Sequence, residues 1–307
     1  MNKNTLTRKG IVLAILAAAL YALNSPLSKL LLSYMPPMLM AGFLYIGAGA
    51  GMAVIALVRR CRGIARTEER FDRSDLPYVL AMILLDIAAP ILLLVGLSRT
   101  TAANASLLNN FEIVATALIA LAVFGERISA RLWTGIGFVT ASCILLTLDG
   151  TEGLRFYSGS IFVLLACICW GIENNCTRRL SSKDPLEIVL LKGIFSGLGS
   201  VVLGCMLGER ISAPWSIPAV IAIGFVAYGL SIFFYVYAQR LLGAARTSAY
   251  YAVAPFIGTA LSLLIFRQIP PYTYFVALGV MIVGAWLCAA DEPVFPVSGK
   301  RKKRNNL

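Results

Sequence analysis

Residues 100–124 read TTAANASLLNNFEIVATALIALAVF, and the length and apolar content of this run predict a membrane-spanning helix. Glu112 lies near its middle, shortly after Asn109 and Asn110. A carboxyl group at that depth is costly and is tolerated where it faces the bundle interior, a partner or water. At helical spacing Asn109, Glu112 and Thr116 share one face, and the opposite face is apolar. The segment therefore predicts a bundle of membrane helices with a polar interior.

Two interpretations of Glu112 follow from this placement. In the first, its carboxyl group is a structural hydrogen-bonding group that holds two helices together. In the second, it lines a binding site or a pathway for a solute or a proton. Ionisable groups inside a membrane usually mark such pathways, which favours the second interpretation.

The composition of the whole chain agrees with a membrane protein. Of its 307 residues 59% are hydrophobic and 14% are charged, whereas a soluble domain carries about 25% charged residues. Histidine is absent, which excludes His-dependent metal sites, Ser–His nucleophile pairs and imidazole proton relays. Six of the seven cysteines fall in apolar segments, and none forms a C-x-x-C pair. We therefore predict no metal site, no cofactor and no enzymatic activity.

Apolar runs of about 20 residues predict an all-α integral membrane protein with ten spans. These are spans 1 to 10, at residues 10–33, 37–58, 75–97, 100–124, 130–148, 157–180, 186–207, 215–239, 244–266 and 271–290.

Lys and Arg are distributed unequally between the two sides of these spans. The N-terminus, the loops after the even-numbered spans 2 to 8 and the tail carry 21 of the 27 basic residues, and the remaining loops carry four. Positive loops face the cytoplasm, so both termini are predicted to be cytoplasmic. The loop 59–75 and the basic run 300–304 are expected to be attracted to anionic lipid headgroups, and we predict no nucleic-acid partner.

An internal repeat relates the two halves of the chain. Residues 10–36 match 159–185 at an offset of 149, and residues 102–124 match 244–266 at an offset of 142. Five spans in each half force the second half to be inserted upside down. Inverted repeats are typical of secondary transporters, whose sites lie near the bilayer midplane between the repeats. We predict a first repeat at 1–148, a second repeat at 149–292 and a cytoplasmic tail at 293–307.

Several motifs resemble those of the drug/metabolite transporter superfamily, in particular its ten-helix EamA-type branch. They are ALAVFGERIS at 120–129, WTGIG at 133–137, YAVAPF at 251–256, FRQI at 266–269, AALYALNSP at 18–26 and CWG at 169–171. The resemblance covers residues 8–290. It implies two inverted five-helix repeats in a bacterial or archaeal cytoplasmic membrane, around a cavity lined mainly by spans 1, 3, 4, 6, 8 and 9.

Similar proteins move amino acids, other small metabolites or organic ions. The chain departs from their pattern at one position. Pro255 in span 9 has a counterpart in span 4 that is usually proline in similar proteins, and here it is Ile113, next to Glu112. An acid therefore lies where a proline kink is expected.

Three acids inside the spans are the main candidates for a substrate or proton pathway: Asp86, Glu112 and Glu173. Lys192 in span 7 is a candidate partner for one of them, whereas Lys29 near the end of span 1 is expected to extend its ammonium group to the membrane surface. The remaining predicted pathway residues are polar or aromatic side chains on the same spans: Asn24, Asn109, Asn174, Tyr228, Ser231, Tyr250 and Tyr251.

Asp86 precedes Pro90 by four residues, so the proline leaves the Asp86 carbonyl group without its helical donor. The carboxylate and this carbonyl could together bind a cation or an ammonium group, and a purely structural kink is the alternative.

These features predict a secondary active transporter for an amino acid or a similar polar or zwitterionic metabolite, coupled to protons. The alternative is efflux of drugs or organic cations, for which tyrosine rings beside carboxylates are suited. An intramembrane enzyme is a remote alternative, because it would need a nucleophile–base pair or a metal cluster. The sequence leaves monomer and homodimer both open.

Overall fold

The computed structural model describes residues 3–63, 69, 71–124, 128–149, 155–156, 158–180, 183–242, 247 and 250–289. The tail at 293–307 and residues 125–127 of the ALAVFGERIS motif therefore lie outside the described residues, as does the predicted start of span 9. In the first half the helices are α1 (Lys3–Ala22), α2 (Asn24–Leu31), α3 (Pro37–Cys61), α4 (Leu76–Arg99), α5 (Ala102–Leu108), α6 (Phe111–Phe124) and α7 (Ala130–Thr147).

The second half is also helical. Its helices are α8 (Ser158–Arg179), α9 (Pro185–Leu191), α10 (Gly197–Met206), α11 (Ser216–Ile223), α12 (Ser231–Leu242), α13 (Ala254–Phe266) and α14 (Tyr272–Ala289). Two π-helical segments, Lys192–Ser196 and Gly224–Leu230, join α9 to α10 and α11 to α12. Two short strands, β1 (Leu148–Asp149) and β2 (Arg155–Phe156), pair antiparallel between the halves, a small exception to the all-α prediction.

Among the described residues, eight helical stretches are long and apolar enough to cross a membrane, and the helices within Ala254–Phe266 and Tyr272–Cys288 are shorter. Span 3, predicted at 75–97, agrees with α4 at Leu76–Arg99, whereas α1 begins at Lys3, before the predicted start of span 1 at residue 10. The main difference is that spans 1 and 4 are each interrupted inside the bundle.

Span 4 is interrupted at Asn109 and Asn110, which form a turn between α5 and α6. The Asn110 side-chain amide donates to the Leu107 carbonyl oxygen at 3.1 Å. Asn side chains compete in this way with the backbone hydrogen bonds of a helix, so the break forms without a proline. In span 9 a corresponding turn at residues 252–253 precedes α13, within one residue of the position that the offset of 142 predicts.

Close approach of helices across the bundle depends on glycine. A Cβ atom on Gly193 would collide with the backbone of Gly49, and one on Gly197 would lie 3.0 Å from the Gly42 carbonyl oxygen. These contacts bring α3 against the segment from α9 to α10, as the G-x-x-x-G spacing of Gly193 and Gly197 indicates.

The most extensive helix contacts join one half of the chain to the other. Helix α4 packs along α8, α7 along α14 and α1 along α12, while α3 lies against α10, α11 and the second π-helical segment. The core is consequently shared between the halves, and polar side chains from both halves meet inside it.

Charged side chains cluster at the end of the bundle that is predicted to face the cytoplasm. The Lys183 ammonium group lies 3.0 Å from the Asp75 carboxylate and 3.8 Å from that of Glu69. Arg59 lies 3.6 Å from Asp184, whose side chain caps the start of α9. The hydrogen bond to Asp75 raises the pKa of Lys183 above its ordinary value of 10.5.

Candidate functional site

A buried lysine lies between two of the three predicted acids. The Lys192 ammonium group is 2.5 Å from the Glu173 carboxylate and 3.3 Å from that of Asp86. The Lys192, Asp86 and Glu173 side chains are 7%, 1% and 4% exposed. The Thr177 hydroxyl group also donates to Glu173. Asp86 comes from the first half and the other two from the second, so this ion cluster (Asp86, Glu173 and Lys192) crosses between the halves.

In this structure the ammonium group beside the Asp86 carboxylate is that of Lys192. Pro90 lies within α4, which continues from Leu76 to Arg99. The Asp86 carboxylate has the chain's own Lys192 beside it, and binding of a cation by this carboxylate together with the Asp86 carbonyl group stays a prediction.

A chain of buried polar and aromatic contacts continues from Asp86 towards span 1. The Tyr45 hydroxyl group donates to the Asp86 carboxylate at 2.9 Å, and the Tyr45 ring lies 5.1 Å from the Tyr228 ring. The Tyr228 hydroxyl group accepts from the Asn24 amide at 3.0 Å, and the Asn24 carbonyl oxygen accepts from Ser28 at 3.0 Å. All of these residues are buried.

Glu112 lies beside the ion cluster rather than in it. It is half-buried in the first turn of α6, directly after the break in span 4. The Asn174 amide donates to its carboxyl oxygen at 2.7 Å and lies 3.3 Å from the Thr116 hydroxyl oxygen. Among the described residues no Lys or Arg pairs with Glu112. Glu112 and Thr116 thus share the predicted face, and Asn174 joins that face to the helix that carries Glu173.

Asn109 is buried in the turn before α6, and its side-chain oxygen lies 3.9 Å from the Cys167 sulfur. This residue therefore belongs to the break itself and faces α8.

Of the remaining predicted residues, Tyr251 and Ser231 belong to a tyrosine group (Tyr21, Tyr228, Tyr235 and Tyr251) beside the buried polar chain. The Tyr251 ring lies 6.0 Å from that of Tyr21 and 4.8 Å from that of Tyr235, and Tyr21 is also 6.0 Å from Tyr228. The Ser231 hydroxyl group donates to the Ala17 carbonyl oxygen at 2.9 Å and lies 3.5 Å from the Tyr251 hydroxyl oxygen.

Tyr250 is half-buried, and within the described part of the chain no hydrogen bond or ring contact ties it to the other predicted residues.

Irregular backbone occurs where the polar side chains meet. Lys192 opens the first π-helical segment, Tyr228 lies in the second, and Asn24 begins α2 immediately after the break at Leu23. Such π segments are rare, and in helices they occur frequently at functional sites. Glu112 likewise follows the break at Asn109. The local sequence thus places the ionisable and polar groups where the helices are interrupted or widened.

Two tyrosines of the site were missed by the sequence analysis, Tyr45 and Tyr21. Tyr45 lies in span 2, two residues before Gly47, which forms a G-x-x-x-G pattern with Gly51. Its hydroxyl group in an apolar run is the signal that could have identified it. Tyr21 belongs to the AALYALNSP motif, three residues before Asn24. The Asp, Glu and Cys residues within the described ranges form no group of three that could hold a metal ion.

A cavity in the structure lies apart from this site. Its volume is about 580 Å³, and Lys29, Thr100, Asn104, Phe266 and Tyr274 are among the residues that line it. None of the three candidate acids contributes to its walls. Asp86 and Glu173 meet at Lys192 instead, and Glu112 contacts Asn174.

Comparison with known proteins identifies relatives of the whole chain. It is 25% identical to an uncharacterized transporter of Methanothermobacter thermautotrophicus, over 91% of this chain and 85% of the relative. It is 22% identical to the uncharacterized inner membrane transporter YedA of Escherichia coli, over 85% of this chain and 84% of the relative. A solved crystal structure superposes on this chain with a TM-score of 0.63 and 18% sequence identity. The superposition covers 92% of this chain and 95% of the chain in that structure, so the two share a fold.

The EamA-like transporter family model matches residues 8–148 and again residues 157–290. The apolar helices and the inner-membrane relative agree that this is a multi-pass membrane protein. Because the two matches together cover most of the sequence, the chain belongs to the EamA-like transporter family.

Proposed function

We propose that this protein is a secondary active transporter that exchanges protons for a small polar or zwitterionic metabolite, such as an amino acid, across the cytoplasmic membrane. The observation that carries the proposal is the buried ion cluster between the two halves. Asp86 and Glu173 together bring two carboxyl groups to the single ammonium group of Lys192. A transporter needs such a site to be shared by the parts that move against each other.

The charge count of the ion cluster favours a cationic ligand. With all three groups ionised, the cluster holds one more negative than positive charge. An uncompensated charge in a membrane interior is costly, so a proton or the ammonium group of a solute would stabilise it. If a proton on a neighbouring carboxyl group and a solute at the ion cluster each reduce this excess negative charge, binding of one weakens binding of the other, and the movement of one drives the movement of the other.

Glu112 is the carboxyl group that we assign to proton transfer. Its hydrogen bond comes from the neutral Asn174 amide at 2.7 Å, whereas Asp86 and Glu173 both face Lys192. Protonation of Glu112 therefore leaves the ion pairs of Lys192 intact. Asn174 follows Glu173 in the same helix, so a change at Glu112 can be transmitted to the ion cluster by one residue.

Two correspondences support inverted repeats and alternating access. Asn24 and Glu173 are related by the offset of 149, and Asp86 and Tyr228 by the offset of 142. The contact between Asn24 and Tyr228 thus has its counterpart in the cluster of Glu173 and Asp86 around Lys192.

The main helix contacts are also preserved when each predicted span is exchanged for its counterpart. The packing of α4 on α8 corresponds to that of α12 on α1, and the packing of α6 on α8 corresponds to that of α13 on α1. Two related halves could therefore rock about the same central residues.

Efflux of organic cations is the second candidate function. The tyrosine group around Tyr21, Tyr228 and Tyr251 favours it, because aromatic rings beside carboxylates attract cations. The two functions differ in the solute that moves, and one experiment separates them.

The test uses purified protein in liposomes that contain a pH-sensitive dye. Amino acids and organic cations are added one at a time, and proton movement is recorded for the wild type, Glu112→Gln and Glu209→Gln. Glu209 provides a matched control, since its carboxylate accepts from the backbone amide of Leu39 at 2.9 Å, outside the site. We expect an amino acid to move protons in the wild type and in Glu209→Gln. In Glu112→Gln the flux should fall to that of empty liposomes, with solute binding retained.

Proton movement at the wild-type rate in Glu112→Gln would reject Glu112 as the coupling group. Movement driven by organic cations and by no amino acid would favour the efflux function. Solute uptake by the wild type without any proton movement would contradict proton coupling itself.

A further inference from the structure

The cavity of about 580 Å³ lies at the end of the bundle that is predicted to face away from the cytoplasm, and the proposed transport mechanism makes no use of it. Its walls come from the end of α4, the start of α5, the end of α13 and the start of α14. The volume falls within the range of about 300–1,000 Å³ that is typical of small-molecule sites. Apolar side chains such as Leu263 and Phe266 form one part of the wall, and Lys29 forms another.

The charged residues that line this cavity, among those described, are Lys29 and Arg99, and no described Asp or Glu lines it. Lys29 is half-buried, and its ammonium group donates to the carbonyl oxygens of Leu97 at 2.5 Å and Thr100 at 2.7 Å. Its ammonium group is therefore fixed against the end of α4 at this side of the bundle. Both partners are neutral, so they fix the ammonium group without cancelling its charge.

An ammonium group has three N–H donors, and two of those of Lys29 are used by these carbonyl oxygens. The nearby polar wall groups are bonded to the protein. The Asn104 amide donates to Thr100 at 2.9 Å and to Ser160 at 3.1 Å, and the Tyr274 hydroxyl group donates to the Ala103 carbonyl oxygen at 3.1 Å. Lys29 is thus a positioned cation beside a cavity whose mixed walls include the apolar side chains of Leu263 and Phe266.

We propose that this cavity binds a small organic monocarboxylate, with its carboxylate on Lys29 and its apolar part against Leu263 and Phe266. The site is separate from the ion cluster of Asp86, Glu173 and Lys192. The proposal does not depend on the proposed transport function, because binding can be measured without any gradient or movement of solute.

The test uses the full chain in nanodiscs of phosphatidylcholine, which offers no anionic headgroup to the cavity. Saturation-transfer NMR, which detects weak ligands, compares benzoate with benzamide, its neutral analogue. We expect saturation transfer to benzoate and little to benzamide. In Lys29→Met the dissociation constant of benzoate should rise by about tenfold, the effect of losing one charge-assisted hydrogen bond, and Lys29→Arg should retain most of the binding.

Lys29 also holds the end of α4, so Lys29→Met could perturb folding, and a second pair of variants leaves it in place. Thr273 lines the cavity and is half-buried. Thr273→Glu and Thr273→Gln have side chains of nearly equal size and differ in charge. We expect Thr273→Glu to weaken benzoate binding by about tenfold, because a carboxylate then competes for the ammonium group, and Thr273→Gln to change it by less than about twofold.

Arg210 is exposed, lies on the same predicted side and does not line the cavity, so Arg210→Met controls for general loss of positive charge. It should leave benzoate binding unchanged. Equal binding of benzoate and benzamide, or equal effects of Thr273→Glu and Thr273→Gln, would overturn the proposal.

Discussion

Replacement of Lys192 by methionine removes the positive charge that lies between two buried carboxyl groups. The ammonium group is 2.5 Å from Glu173 and 3.3 Å from Asp86. With an effective dielectric constant of about 20, Coulomb's law gives attractions of roughly 7 and 5 kcal/mol at these distances. The desolvation of three charges offsets much of this, and loss of one partner from a buried pair costs about 3–5 kcal/mol. We expect Lys192→Met to lower the free energy of unfolding by about 3–5 kcal/mol.

The assay is SDS-induced unfolding of the purified protein in mixed micelles, followed by circular dichroism. The double variant Lys192→Met/Glu173→Gln is the informative companion, because it leaves one uncompensated carboxyl group instead of two. We expect it to recover about half of the lost stability if the charge imbalance is the cause. Lys9→Met removes an exposed lysine of α1 and should stay within about 0.5 kcal/mol of the wild type.

Wild-type stability in Lys192→Met would refute the idea that the ion cluster holds the halves together. A double variant that is no more stable than Lys192→Met would show that lost packing, and not unpaired charge, is the reason for the effect.

Two further predictions concern packing and pH. Gly193→Ala places a methyl group against the backbone of Gly49 and should lower the free energy of unfolding by about 1–3 kcal/mol in the SDS assay. Gly137 has open space around it, so Gly137→Ala should not destabilise the protein. Equal effects of the two substitutions would contradict the packing explanation. The raised pKa of Lys183 contributes stability that is fully present below about pH 10.5 and is lost as the pH rises through the raised value. Asp75→Asn should therefore flatten the loss of stability between about pH 10 and pH 12, and an unchanged pH profile would argue against this ion pair.

The positions of the helices could be predicted because membrane insertion depends on local composition. A run of apolar residues must satisfy its backbone hydrogen bonds within a helix, wherever that helix lies in the bundle. The predicted span at 37–58 therefore agrees with α3 at Pro37–Cys61, and the predicted span at 130–148 agrees with α7 at Ala130–Thr147. The close-packing role of Gly193 and Gly197 was equally readable, because a spacing of four residues puts both on one helix face.

The interruptions of the helices were less predictable. Span 1 contains Pro26, and its break lies three residues earlier, at Leu23. Span 4 has no proline, and its break depends on the side chain of Asn110 reaching the Leu107 carbonyl oxygen. Whether an asparagine bonds to its own backbone or to another helix depends on what surrounds it, so composition alone does not decide it.

The candidate acids were identified from sequence alone because an ionisable group in a membrane span is unusual wherever it points. The partners of these acids could not be identified from the sequence, because each partner lies far away in the chain and contacts the acid only after folding. Lys192 could have paired with any of three acids, and the packing of α3, α4 and α8 around it brings it to Asp86 and Glu173 while Glu112 turns to Asn174. The family, the helices and the candidate ionisable residues could thus be predicted from local composition and motifs. Which of the charged groups pair depends on the distances between them, and those distances are set by the packing of the helices.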